Sequence, residues 1–374
     1  MGYIVYKASN EYSQITYDSL ISGEGGQLLW TNRKNYTITR KIDNNLLPTP
    51  DYPAIYNQMQ KLRKTTAGYY GCDMSKHYWH YEIPKKTGGT RPIDEPTDRL
   101  KAAQYSFIRC FNKFFGDLHH TNAYGYLKDR CVIDVAKKHK DSEWFLKIDI
   151  SDFFGSTDPG TAITQIAKVY PFCKLYKYAE GKSWLNTTLY ALFLNNGLPQ
   201  GAPTSPMLTN LIMIPFDYEI TKILSEMNLT YTRYSDDMQI SGKYMFDWRK
   251  VVEAIRETFR EHGYPYVIKD SKTHFGNVKG RNWMLGTKIN AEHKVSVGWE
   301  NHKVFKAKCH KLIMDFKNGE KWKPNDVQVL RGVMNWYACV EPTYVERIKS
   351  YYIQKFGEIE GDIDHVLKAM ESLN

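Results

Sequence analysis

The chain has 374 residues, a formal net charge of +10 and a hydrophobic fraction of 42%, which gives a packed core and a cationic surface suited to a phosphate-bearing partner. Its six cysteines, at 72, 110, 131, 173, 309 and 339, show no C-x-x-C spacing, which excludes a disulfide framework; Cys72, His77 and His80 find no second ligand pair nearby for zinc. No apolar run spans a bilayer, no signal-peptide pattern opens the chain and Tyr6 stands where myristoylation favours Ser or Thr, so a cytoplasmic protein without membrane attachment is expected. Tyrosine is abundant at 28 residues. Such rings among Lys and Arg suit stacking on single-stranded bases, although ordinary half-buried packing accounts for most of them.

Residues 1 to about 60 are polar, carry no catalytic motif and end near Pro48, Pro50 and Pro53; they are expected to be a packing extension, with contact to RNA or a partner protein as the alternative. From Leu100 to Phe115 apolar and aromatic residues recur at helical spacing. Trp144 to Phe154 (WFLKIDISDFF) reads as an apolar strand ending in Asp149, then a turn and two aromatics. An Asp at the end of a buried strand is costly without a partner, although Asp149 and Asp152 could simply cap a helix.

Asn195 to Asn210 (NNGLPQGAPTSPMLTN) is a Gly/Pro-rich loop leading into a helix, with Thr204 or Ser205 as the expected N-cap and Pro206 in the first helical position. Gly201 permits close approach of a ligand to the backbone, and Gln200 offers donors and acceptors to a base or sugar. Leu229 to Gly242 (LTYTRYSDDMQISG) predicts a hairpin with Asp236 and Asp237 at its tip. Adjacent carboxylates repel unless a cation neutralises them, and a hard divalent ion with oxygen ligands, Mg²⁺ above all, suits them. A solvated Asp-Asp turn is the alternative. If Asp149 lies beside the hairpin, Asp149 and Asp236 can hold two Mg²⁺ ions, the arrangement that serves nucleotidyl transfer. Further on, His302 to Lys317 is amphipathic, with Phe305, Cys309, Leu312, Ile313 and Phe316 on one face and Lys303, Lys306, His310 and Lys317 on another. Val327 to Val340 forms a second amphipathic segment.

In order, these motifs resemble the palm of a reverse transcriptase: Asp149 to Phe154 its motif A, Leu198 to Gly201 its motif B, Tyr234 to Asp237 its motif C. Tyr81 to Pro96 (YEIPKKTGGTRPIDEP) is similar to the fingers hairpin, Tyr124 to Arg130 to the G-[FY]-x-x-x-R segment, Ile268 to Thr273 to motif D and Trp283 to Gly286 to the primer grip. The resemblance covers residues 75 to 360. It implies an α+β right-hand polymerase: extension 1–60, fingers 61–140, a palm of antiparallel sheet plus helices over 141–290, and a short helical thumb over 291–374.

The implied activity is RNA-directed DNA synthesis with two Mg²⁺ ions, an RNA template, dNTPs and a DNA product. The resemblance implies Asp149, Asp236, Asp237 and the carbonyl of Ile150 as metal ligands, and Lys272 as the acid that protonates pyrophosphate, with a surface lysine as its alternative. Lys85, Lys86 and Arg91 would hold the triphosphate, with Asp152, Phe153, Gln200 and Gly201 around the nucleotide and Phe154 as a steric gate against the 2′-OH. Lys303, Lys306, His310 and Lys317 would track the template–primer backbone. The wording LPQGAPTSP followed by TRYxDD is closest to retron-type and related bacterial enzymes. Two elements associated with the retron's structured RNA depart from the family: N-A-x-x-H is Val135 to His139 (VAKKH), and V-T-G is Met284 to Gly286 (MLG). These departures fit better a defence-associated, retron-like enzyme that handles another noncoding RNA or primer. The alternatives are a true retron enzyme making a branched RNA–DNA product, a catalytically weak RNA-binding scaffold, and an RNA-templated RNA polymerase, against which Phe154 argues.

Overall fold

Alternation along the segment from Trp144 decides how the central sheet is built. The computed structural model describes residues 2–7, 37–47, 51–85, 88–116, 118–175, 179–280 and 283–372. Its strands are β1 (Gly2–Lys7), β2 (Thr37–Ile42), β3 (Tyr78–Pro84), β4 (Thr90–Pro96), β5 (Trp144–Ser151), β6 (Thr230–Tyr234), β7 (Asp237–Gly242), β8 (Val267–Ile268), β9 (His274–Asn277), β10 (Trp283–Met284), β11 (Thr287–Ile289) and β12 (Val295–Ser296). The central sheet runs β6-β7-β5-β8, with β9 also paired to β5. Leu146, Ile148 and Ile150 of β5 and Met238 and Ile240 of β7 are all buried in the main core. With a period of two, Lys147, Asp149 and Asp237 are left on the opposite face.

The helices are α1 (Tyr52–Thr66), α2 (Asp98–Phe115), α3 (Val132–His139), α4 (Pro159–Ile166), α5 (Phe172–Leu175), α6 (Ala179–Leu189), α7 (Thr204–Ile212), α8 (Ile214–Glu226), α9 (Trp248–His262), α10 (Trp299–Lys317), α11 (Pro324–Val340), α12 (Pro342–Phe356) and α13 (Ile363–Ser372). The chain divides into two compact units. The first comprises Met1–Arg130, Leu146–Ile240 and Phe246–Phe275; the second comprises Cys131–Phe145, Ser241–Met245 and Gly276–Asn374.

In the first unit the apolar face of the sheet packs against helices. Leu208 and Leu211 of α7, Phe216, Ile220 and Leu224 of α8, and Val251, Ile255 and Phe259 of α9 all join its core. The rings of Phe216 and Phe259 stack at 4.4 Å. Helix α9 shows why such a segment folds: its apolar residues recur on one stripe, Asp247 caps the start by accepting from the Arg249 N–H, and Gly263 closes the end at φ +73°. The described part of residues 1–60 belongs to this core. Strands β1 and β2 pair antiparallel, Tyr3 exchanges backbone hydrogen bonds with Lys168 and Tyr170, and its hydroxyl donates to Glu219 at 2.9 Å. Lys41 pairs with the same carboxylate.

The second unit has its own core from Phe305, Cys309, Leu312 and Ile313 of α10, Val327, Leu330 and Met334 of α11, Val345, Ile348 and Tyr352 of α12, and Val366, Leu367 and Met370 of α13. Phe316 packs against its edge, half-buried. A three-stranded sheet, β10-β11-β12, also belongs to it. The turn from β10 to β11 places Leu285 at φ +50° and Gly286 at +87°, which is why a glycine ends that motif.

Candidate active site

The turn between β6 and β7 consists of Ser235, at φ +60°, and Asp236; Asp237 is already the first residue of β7. The segment 122–125 lies directly against this turn. The Arg233 N–H donates to the Asn122 carbonyl and the Tyr124 N–H to the Arg233 carbonyl, both at 2.8 Å. A Cβ on Gly125 would stand 2.6 Å from the Ser235 nitrogen, so only glycine permits this approach. Arg130 keeps the segment in shape by donating to the carbonyls of Thr121 (2.8 Å) and Ala123.

Asp149, 5% exposed on β5, lies beside this turn: the neighbouring Ile150 N–H donates to the Asp236 carbonyl at 3.1 Å. The Lys272 ammonium sits 3.0 Å from both Asp149 carboxylate oxygens. Lys147 lies 2.8 Å from Asp237 Oδ1. That oxygen has no hydrogen bond of acceptable angle, so the contact is ionic. Burial lifts the Asp236 carboxyl above the usual carboxylate range; the charges of Asp237 and Asp149 push the same way, and Lys272 opposes them. Among the described residues no three His, Cys, Asp or Glu side chains are already gathered around a metal position. Asp149 and Asp237 instead hold lysine ammonium groups, cations standing where a hard ion would find oxygen donors. This donor set fits Mg²⁺.

The loop from Leu194 follows the same logic of close backbone approach. Gly197 abuts the Gly155 carbonyl, and the Leu198 N–H donates to the Phe154 carbonyl at 3.0 Å. Gly201, at φ +136°, leaves room for the Asp94 carbonyl, while the Asp94 N–H donates to the Gln200 carbonyl at 2.8 Å. The β3–β4 hairpin is thereby fixed to the loop. The helix start differs from the expectation: α7 begins at Thr204 after Pro203, and the Ser205 hydroxyl donates to the Pro199 carbonyl at 2.8 Å instead of capping. That bond closes the loop on itself.

Of the residues named from sequence, Asp149, Asp236, Asp237 and Lys272 come together. Phe154 is half-buried, next to Phe153 at 5.6 Å between ring centroids. Phe153 departs from the expectation: 3% exposed and packed on Tyr266, its ring belongs to the core and leaves only its backbone to face a nucleotide. Asp152 is exposed at φ +44° with its carboxylate folded over Gly155. Lys85 and Arg91 are exposed near the hairpin end, where the Lys85 N–H closes the turn on the Gly89 carbonyl; Lys86 lies outside the described residues.

Three functional features had not been drawn from the sequence. Tyr126, 59% exposed at φ +59°, stands 6.2 Å from the Tyr234 ring, and its hydroxyl feels both Asp236 and Arg91. Lys147 is the second. The third is Arg233, fully buried, whose Nε and Nη2 grip Asp217 (2.9 and 2.7 Å) while Nη1 donates to the Ser235 carbonyl at 3.2 Å. A charged residue beside an aspartate pair could have signalled such an anchor, but its partner is distant in sequence.

In the second unit Lys303 lies over the Trp299 ring (4.9 Å), Lys306 over Tyr351 (4.4 Å), and exposed His310 beside Tyr352 (6.0 Å). Lys317 departs from the expected free stripe: Glu360 pairs with it at 2.6 Å and Phe356 lies beneath it. Val135 and His139 are fully buried. Burial pushes the His139 imidazole down to about 3, and Nδ1 bonds the Ser241 hydroxyl at 2.6 Å. Neither of these two side chains is open to RNA, while Lys137 and Lys138 between them are exposed.

A family described as reverse transcriptase (RNA-dependent DNA polymerase) matches residues 83–310. The retron Ec83 reverse transcriptase of Escherichia coli is 29% identical over 292 residues, covering 75% of this chain and 88% of that protein. The retron Ec73 enzyme of the same species is 27% identical over 291 residues, with the same coverage. The retron Mx162 enzyme of Myxococcus xanthus is 29% identical over 178 residues, 45% of this chain and 36% of that one. Among solved structures, apo telomerase from Candida tropicalis, truncated from its C-terminal domain, aligns with a TM-score of 0.42 at 14% identity, over 65% of this chain and 60% of that one.

Proposed function

The chain belongs to the reverse transcriptase family and is an RNA-directed DNA polymerase of α+β fold, and on that premise we propose that it copies a noncoding RNA into DNA by two-metal nucleotidyl transfer at Asp149, Asp236 and Asp237. The observation that carries the reading is the arrival of Asp149, from a strand 87 residues earlier, beside the Asp236 turn, through the Ile150 to Asp236 hydrogen bond. Asp149 and Asp236 would hold the ions, with Ile150 and Asp237 at their margin. Bound Mg²⁺ would activate the primer hydroxyl and stabilise charge on the leaving pyrophosphate.

The chain's own groups do the rest. Arg91 and Lys85 neutralise the triphosphate, Arg91 through its planar fork. Lys272 leaves Asp149 when the substrate arrives and donates its Nζ proton to pyrophosphate. Phe154, held by its backbone bond to Leu198, presents a ring edge to the sugar and excludes a 2′-OH. Gln200 and Gly201 form the floor beside the base. Lys303, Lys306 and His310 carry template–primer phosphates, and the exposed Trp299 and Tyr351 rings beside the two lysines offer bases a stacking surface.

The template belongs, in this proposal, to a bacterial anti-phage system, the setting that retron-like wording suggests. Similarity to enzymes named as retron reverse transcriptases also favours a second reading, a branched RNA–DNA product. The departure at Val135, buried where the family has Asn, counts against it, while Lys137 and Lys138 of the same element are exposed. No helix among the described residues is long and apolar enough to cross a membrane, and none of the six cysteines forms a disulfide. Single-nucleotide addition on an RNA template, comparing dNTP with rNTP, tests the activity. Preference for dNTP supports it, equal use points to an RNA polymerase, and no addition leaves a binding scaffold. Sequencing the nucleic acid that copurifies, with and without debranching, separates the two product readings.

A further inference from the structure

Three carboxylates share the site, yet the chain treats them differently. Asp149 faces Lys272, Asp237 faces Lys147, and among the described residues Asp236 has no cation within ion-pair distance. We propose that Lys147 is the resident counter-ion of Asp237, a positioning residue that withholds this carboxylate from the metals and leaves them to Asp149 and Asp236. The inference rests on the carboxylate assignment made above.

The two lysines are mounted differently. Lys272 ends a single turn, Asp270–Lys272, and its side chain is 53% exposed, so it can swing off Asp149 at little cost. Lys147 is rooted in β5, two residues before Asp149 and on the same face, with 31% of its side chain exposed. Its Cα cannot move without moving Asp149. Asp237 is likewise fixed as the first residue of β7, adjacent to β5 in the sheet. The pair is therefore set by strand register. Without Lys147 the unneutralised Asp237 would draw a divalent ion towards the hairpin and raise the negative potential that an incoming triphosphate must approach.

Mn²⁺ binding to the full-length protein without nucleotide, followed by electron paramagnetic resonance, reads this directly. Lys147→Met should tighten Mn²⁺ binding by about fivefold, the scale of a half-exposed ion pair, and Lys147→Arg should keep the original affinity. Asp237→Asn should weaken binding in the native background, where it leaves the Lys147 cation unpaired beside the site, and should remove the gain in the Lys147→Met background. An unchanged affinity in Lys147→Met, or a gain that persists in the Lys147→Met/Asp237→Asn double variant, overturns the inference. Asp236→Asn tests the assignment beneath it: binding must weaken in every background, and if it does not, the carboxylate site itself is wrong, whatever Lys147 does.

Discussion

Replacing Arg233 with Met should cost the first unit more than any surface substitution in the chain. Arg233 and Asp217 are both fully buried, joined by three hydrogen bonds at 2.7, 2.9 and 3.2 Å. The guanidinium also holds the Ser235 carbonyl and, at 3.3 Å, the Asn210 amide oxygen. Removing it leaves the Asp217 carboxylate in the interior with the Tyr231 hydroxyl, at 2.8 Å, still donating to it. Breaking a buried pair on one side costs roughly 3–5 kcal/mol, a large share of the ~5–15 kcal/mol that holds a domain folded. In a unit of this size each kcal/mol moves the melting midpoint by about 2–4 °C, so a fall of roughly 10 °C is expected. Because Nη1 holds the turn that carries Asp236, DNA synthesis below the new midpoint should also fall. Arg233→Met with Asp217→Leu should recover part of the stability, since no charge is then stranded, but not the activity, since the Ser235 carbonyl has still lost its donor. Calorimetry and primer extension on the single and double variants measure both. A shift under about 2 °C in Arg233→Met, or equal recovery of stability and synthesis in the double variant, would mean that the buried pair neither holds the fold nor shapes the Asp236 turn.

Asp236→Asn should abolish synthesis while raising stability at neutral pH. The folded-state carboxyl of Asp236 is lifted, so its contribution favours folding at low pH and is lost as pH rises through the carboxylate range; melting curves of the variant and the native chain should converge on acidification. His139 has the opposite sign: its folded value of about 3 lies below the ordinary 6.5, so its stability is present above 6.5 and lost as pH falls. The second unit should weaken by about 1.4 kcal/mol per pH unit below 6.5, and His139→Gln should flatten that slope in pH-dependent urea unfolding. Phe154→Ala should increase ribonucleotide incorporation more than it changes deoxynucleotide use, by roughly tenfold or more if the ring supplies 1.4 kcal/mol of discrimination; single-nucleotide addition measures the ratio.

What the sequence revealed is what short-range chemistry determines. The apolar run ending in Asp149 marks β5, and an Asp pair between runs of strand formers marks the β6–β7 hairpin. Glycine and proline mark the loop that carries Gln200. Distance in sequence hid the rest. Tyr3 and Glu219 are 216 residues apart, and nothing local says that the opening strand belongs to the main core. Arg233 and Asp217 each look like surface charges until the fold closes them on one another. Phe153 and Phe154 are adjacent and chemically alike, so only the turn decides which ring enters the core. At Thr204 the helix began earlier than capping chemistry suggested, because Ser205 has a partner in the Pro199 carbonyl.

In the proposed mechanism one carboxylate from β5 and one from the β6–β7 turn jointly perform RNA-directed DNA synthesis. Primer extension on an RNA template with dNTPs, run on Asp149→Asn and Asp236→Asn separately, tests it most directly, with RNA binding and melting midpoint measured on the same preparations. Each substitution alone should remove extension by at least about a thousandfold while template binding stays within about twofold of the native chain. Extension at the native rate in either folded variant would contradict it.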